Sequence, residues 1–179
     1  RSLPNLPIMA PRDENELALM LRFALQLNGP AVIRYSKGAG ARNKNLPLPT
    51  ELTLGAAEIV QQGTGPVIWA MGAEVDTAFE VSELYEKQKE EKCLIINPRF
   101  ISPFDKELAK SLKDRVMVTI EDHRCGAGLG AALSEALLGV KHNILLNYGW
   151  PNEIIEHGKI EDLRKKYKFT AKEIARQLL

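Results

Sequence analysis

Cysteine is scarce in this sequence. Its two copies, Cys93 in an apolar run and Cys125 in a glycine-rich stretch, make neither a disulfide framework nor a metal set, so no metal site is expected. Such sparing use fits a reducing, cytoplasmic setting. No apolar run approaches the ~18 residues of a membrane span, and the opening residues show no charged-then-apolar signal pattern. The net charge of +1 gives no general attraction to nucleic acid or to a membrane surface. There is no Ser-His-Asp set, no nucleophile elbow and no Gly-Lys-Ser/Thr of a P-loop. What is present, 45% hydrophobic and 26% charged residues, supplies ample core for one domain, or one and part of a second. Arg1-Ser2-Leu3-Pro4 enters a strand pattern without an initiator methionine, which reads as a piece of something longer.

Leu6 to Ala10 is a short strand pattern ended by Pro11. Asp13 then reads as a helix N-cap with Glu16 as its capping-box partner. Leu17, Met20, Leu21, Ala24 and Leu25 follow as one apolar stripe. Asn28-Gly29-Pro30 stops the helix, and Ala31 to Tyr35 is the next strand. Residues 1–38 thus form a strand-helix-strand unit with a parallel crossover, and two strands alone cannot make a stable sheet. Residues 39–52, rich in Gly, Pro and Asn, read as a linker, and a second domain spans 53–179.

In that domain the spacing predicts strands at Ala56–Gln61, Pro66–Met71, Cys93–Ile96, Val116–Ile120 and Asn143–Leu146. The helices between them start near Val75, after Asp105 and near Leu129, and Thr170 with Glu173 caps a last one. The alternation makes the fold α/β, with a mainly parallel sheet flanked by helices. Asn97 to Asp105 reads as a strand running through a loop into a helix N-terminus, where Arg99 either clamps an anion or locks two elements together.

Several groups are candidates for chemistry. Gly126-Ala127-Gly128-Leu129-Gly130 has the look of a phosphate cradle, yet Ala131 stands where the dinucleotide spacing needs glycine, and close helix-strand approach explains the glycines equally. Glu121, Asp122 and His123 at the end of a strand form an acid-base candidate. Adjacent carboxylates on a strand face opposite sides, so at most one of them shares a site with the imidazole. His142 reads as a surface residue and His157 as a turn or interface histidine. Arg34 and Lys37, at a strand's carboxyl end, suit a phosphate or are two solvated charges.

Pro7 to Leu17 with Gly29 to Tyr35, Asn97 to Asp105, and Gly149-Trp150-Pro151 through Ile155-Glu156-His157-Gly158 together resemble the 1-deoxy-D-xylulose-5-phosphate synthase family of the transketolase superfamily. The resemblance covers essentially the whole chain. It implies the end of a pyrimidine-binding domain followed by a transketolase-type C-terminal domain. It implies a homodimeric, thiamine-diphosphate- and magnesium-dependent transferase that joins pyruvate, with loss of CO₂, to glyceraldehyde 3-phosphate, in the cytoplasm or, in a plant, the plastid. Lys37 stands where the family has an arginine that holds the triose phosphate, with Arg34 nearby. Arg99, Asp105 and His157 are then structural or interdomain residues. The family's Gly-Asp-Gly motif does not occur here, so this segment alone is expected to bind no cofactor and to turn nothing over. A 2-oxoacid dehydrogenase beta subunit, with a lipoyl-domain partner, and a non-catalytic dimerisation or regulatory module are the alternatives.

Overall fold

The computed structural model describes residues 1–37, 46 and 49–179, so Gly38 and most of the expected linker at 39–52 lie outside the described residues. The first unit consists of β1 (Ile8–Met9), α1 (Glu14–Gln26) and β2 (Val32–Ile33). β1 and β2 pair in parallel, Ile8 opposite Val32 and Met9 opposite Ile33. Two strands of two residues need a third partner. It comes from far along the chain. After β5 (Leu94–Asn97) the backbone turns at Pro98-Arg99, and β6 (Phe100–Ser102) runs antiparallel to β1. The stretch read as a loop is therefore a turn plus a strand. Phe100, fully buried against Met9 and Met20, fills the small core between α1 and this sheet and fixes the strand there.

The Asp13 carboxylate caps α1 by accepting from the Glu16 amide at 2.8 Å. The expected stripe is rotated, however. Met20 is buried, while Leu21 and Leu25 are exposed at 51% and 87%. The inward face instead carries Glu16, which is fully buried, and its partners are polar. Counting apolar letters at helical spacing misses this because the helix packs on a polar junction at its N-terminal end.

The larger sheet has five strands in the order β3-β5-β4-β7-β8. β3 (Glu58–Gln61) is antiparallel to β5, and β4 (Val67–Ala70), β7 (Met117–Arg124) and β8 (Leu145–Trp150) run parallel with it. All four residues of β4, and the apolar Leu94–Ile96 of β5, are buried, as apolar runs covered on both faces should be, and the polar Asn97 that ends β5 is buried with them. One face packs on α2 (Glu74–Lys89) and α6 (Ala171–Leu178), through Ile68, Ile95, Val118 and Ile174. The other packs on α3 (Lys106–Ser111) and α4 (Leu129–Ala136), through Trp69, Ile96, Leu129 and Leu133. α5 (Ile160–Lys166) buries no residue of its own. The N-caps Asp105 and Thr170 form as expected.

Two strand ends differ from the sequence pattern. β7 does not stop at Glu121-Asp122 but continues through His123 to Arg124, and β8 runs on to Trp150. The two strands support each other there: Arg124 pairs with Trp150 past an irregularity after Ile120, and the Cys125 amide donates to the Trp150 carbonyl at 2.9 Å. Pairing with a neighbour holds polar residues in a strand that their own propensity would end.

Candidate functional site

The end of β2 meets the end of β7, and two of the candidate residues, Arg34 and Lys37, lie there. Arg34, just beyond β2, bonds through its backbone amide to the Met9 carbonyl at 2.8 Å, and its Nη2 donates to the Asp122 carbonyl near the carboxyl end of β7. The Asp122 carboxylate accepts from Trp150 Nε1 at 2.6 Å. Lys37, exposed, stands at the rim of a cleft of about 490 Å³ whose other walls include Glu74, Asp122, Glu161 and Arg164. Arg164 grips Glu74 with two nitrogens, one at 3.1 Å, while Thr77 donates to the same carboxylate at 2.8 Å. Burial opposes the Arg164 charge, yet the bonds to Glu74 outweigh it and raise its pKa. Its guanidinium also lies 4.7 Å above the Phe169 ring. Arg164 and Glu74 are thus spent on each other, whereas Lys37 presents its charge to solvent.

A second constellation is buried between the two sheets. Glu16 accepts from Asn97 Nδ2 at 3.0 Å, from Arg99 Nε at 2.8 Å and from the Arg12 amide at 2.7 Å. It therefore reaches Arg12 and not the cap residue's own amide, so the expected capping box is replaced by this cluster. Arg99 Nη2 lies 3.1 Å from Glu58, and Arg12 Nη1 donates to the same carboxylate at 2.5 Å. Arg12 Nε also donates to Asp13 at 3.1 Å, so two arginines are paired with Glu16, Glu58 and Asp13. Arg99 reaches it from a left-handed backbone, φ 58°, which an arginine adopts only where its contacts fix it. Asp105 bonds the Leu108 amide as N-cap and the Ala57 amide with its other oxygen, both at 3.0 Å.

The glycine-rich turn resolves differently. Glu121, fully buried, accepts from the Leu129 amide at 2.8 Å and the Gly130 amide at 3.1 Å. It occupies the anion seat at the N-terminus of α4. A Cβ on residue 128 would overlap the Glu121 carboxylate, and one on residue 130 would stand 2.6 Å from Asn147 Oδ1. The glycines thus admit side chains of this chain, and residues 121–130 do not fit the diphosphate of a cofactor. With Glu121 spent, no acid-base set forms with His123, whose exposed ring contacts the Arg124 carbonyl. His142 and His157 are exposed. Next to His157, Glu156 accepts from Lys166 and, at 2.6 Å, from the Tyr167 hydroxyl. Lys166 and then Tyr167 hold the Glu156 carboxyl down to about 2, and the bond to Glu156 pushes the Tyr167 hydroxyl up to about 12. Among the described residues no group of three His, Cys, Asp or Glu side chains is placed to hold a metal ion. Sequence reasoning missed Glu58 and Arg12 as members of the buried junction. The arginine of Pro11-Arg12-Asp13 and a lone glutamate in an edge strand were the available signals.

A mainly parallel sheet between two helical layers, entered from a small strand-helix-strand unit, defines the class. Residues 55–174 match the family model described as the transketolase C-terminal domain, and the chain belongs to that family. At finer grain it is similar to proteins named 1-deoxy-D-xylulose-5-phosphate synthase. That of Heliobacterium modesticaldum is 38% identical over 98% of this chain and 28% of the relative. That of Methylacidiphilum infernorum is 37% identical over 100% and 29%. A protein named 1-deoxy-D-xylulose-5-phosphate synthase 2 of Geobacter sulfurreducens is 38% identical over 98% and 29%. The chain thus spans less than a third of the length of these relatives. Among solved structures, a split-gene transketolase described as an inactive beta4 tetramer superposes with a TM-score of 0.86 at 23% identity, over 99% of this chain and 57% of that one. The transketolase of Campylobacter jejuni superposes with a TM-score of 0.70 at 21% identity, over 99% and 26%. These structural likenesses bear on the fold.

Proposed function

We propose that this chain is the carboxyl-terminal portion of a thiamine-diphosphate- and magnesium-dependent synthase that condenses pyruvate, with loss of CO₂, and glyceraldehyde 3-phosphate to 1-deoxy-D-xylulose 5-phosphate. The observation that carries the reading is the extent of the likeness. Identity of 37–38% to proteins of that name runs over 98–100% of the chain, so it takes in residues 1–54 ahead of the matched domain as well. The relatives' names do not favour a 2-oxoacid dehydrogenase beta subunit. In this reading the bound cofactor supplies the carbanion chemistry, and residues elsewhere in the complete enzyme hold it. The segment by itself turns nothing over. The complete enzyme is a cytoplasmic homodimer, with His157 near an interface and Arg99 and Asp105 joining its domains.

Lys37 contributes the charge for the triose phosphate, at the end of a strand held by the Arg34 bond to Asp122. A lysine meets phosphate as a point charge and lacks the two-pronged grip of arginine. The test is the complete enzyme assayed with both substrates. Product is expected only with pyruvate and glyceraldehyde 3-phosphate together, and acyl transfer from pyruvate to a lipoyl domain would overturn the reading. Loss of one charged hydrogen bond, about 1.5–3 kcal/mol, makes the Lys37→Ala variant raise KM for the triose phosphate by about 10- to 100-fold. An unchanged KM removes Lys37 from the site.

A further inference from the structure

The turn that ends α1 carries the only Asn-Gly pair of the sequence, Asn28-Gly29. Asn28, Gly29 and Pro30 are all exposed and lie in no helix or strand. Among the described residues the Asn28 carboxamide has no hydrogen-bond partner, and open space surrounds the position a Cβ would take on Gly29. Glycine is the residue that lets the following amide swing toward an asparagine side chain, because it has no Cβ to block the approach. No other asparagine precedes a glycine; Asn97 precedes a proline, which has no amide proton, and Asn147 is held within β8.

We propose that Asn28 is a site of spontaneous, backbone-assisted deamidation. The Gly29 amide nitrogen gives its proton to solvent base and its electron pair forms a bond to Asn28 Cγ. The Cγ–Nδ2 bond breaks, and the nitrogen leaves with that electron pair and a proton as ammonia. The five-membered succinimide then takes up water at either carbonyl. Asparagine and water become aspartate or isoaspartate and ammonia, with no change in oxidation state. Either product puts a carboxylate at the negative end of α1, whose last turn holds no basic residue to offset it. Isoaspartate also adds a methylene to the main chain just before β2, whose register on β1 rests on two residue pairs. β2 leads directly to Arg34 and Lys37, so ageing at Asn28 loosens the strand that carries them.

The experiment follows the full-length protein in mildly alkaline buffer, folded and in urea, by mass spectrometry of the tryptic peptide Phe23–Arg34, whose only asparagine is Asn28. Fragment ions separate Asn28 from Gln26. The folded protein is expected to yield aspartyl and isoaspartyl forms within severalfold of the rate in urea. Asn28→Gln abolishes both forms and Gly29→Ala slows them severalfold. A folded protein that keeps Asn28 intact while the unfolded chain deamidates overturns the proposal, as does a Gly29→Ala rate equal to that of the parent.

Discussion

Replacing Glu16 by alanine tests the buried junction most directly. Glu16 is fully buried and accepts from three groups, the Arg99 guanidinium, the Asn97 carboxamide and the Arg12 amide. Without it, the largely buried Arg99 keeps only Glu58 among the carboxylates described for it, and shares that group with Arg12, which also pairs with Asp13 at 3.1 Å. Asn97 Nδ2 and the Arg12 amide also lose the partner described for them. Removing one member of a buried ion pair costs about 3–5 kcal/mol, because the partner stays buried and uncompensated. For a unit of this length each kcal/mol moves Tm by about 2–4 °C, so calorimetry should show a fall of roughly 6–20 °C. The double variant Glu16→Ala with Arg99→Met removes the stranded charge and should recover part of the loss, a coupling of about 0.5–3 kcal/mol. A single-variant loss below about 1 kcal/mol, or strict additivity, would show that the cluster behaves like a solvated surface pair and would refute the reasoning.

Three further outcomes follow from the geometry. Gly128→Ala drives Glu121 from the α4 N-terminus and should cost about 3 kcal/mol from overpacking and lost charge-assisted bonds, partly restored by adding Glu121→Ala; an unchanged denaturation midpoint refutes the close approach. Burial pushes the Cys93 thiol up to about 11, so its neutral form favours the fold fully below pH 9.0 and that contribution fades as pH rises through about 11; Cys93 should resist alkylation until unfolding, and labelling as fast as Cys125 at neutral pH would contradict this. The Glu156 carboxyl at about 2 and the Tyr167 hydroxyl at about 12 keep their tie intact between pH 4.5 and 10.0, losing it as pH falls through about 2 or rises through about 12; ultraviolet titration should find a late tyrosine that titrates earlier in Glu156→Gln.

Local chemistry was readable wherever the partner is local. The caps at Asp13, Asp105 and Thr170 each bond an amide three residues on, and the runs around Ile68 and Ile95 carry their burial in their own letters. Contacts between distant residues left no such trace. Arg99 meets Glu16 across 83 positions and Arg12 meets Glu58 across 46, so Glu16 looked like an ordinary capping residue. Leu21 and Leu25 looked buried because periodicity gives a face but not which face the fold covers. Glu121 looked free for acid-base work because nothing in Glu-Asp-His says that the amides eight and nine residues later will bind it.

The pairing of β6 with β1 has a consequence for what counts as a domain. The linker expected at 39–52 divides the chain by composition, and strand pairing crosses that division. Residues 1–37 borrow their third strand from residues 100–102, and the junction around Arg99 ties the same two regions together. Opening the small sheet therefore pulls on the turn that follows β5, inside the larger one. Through these contacts, opening in one region is expected to be felt in the other.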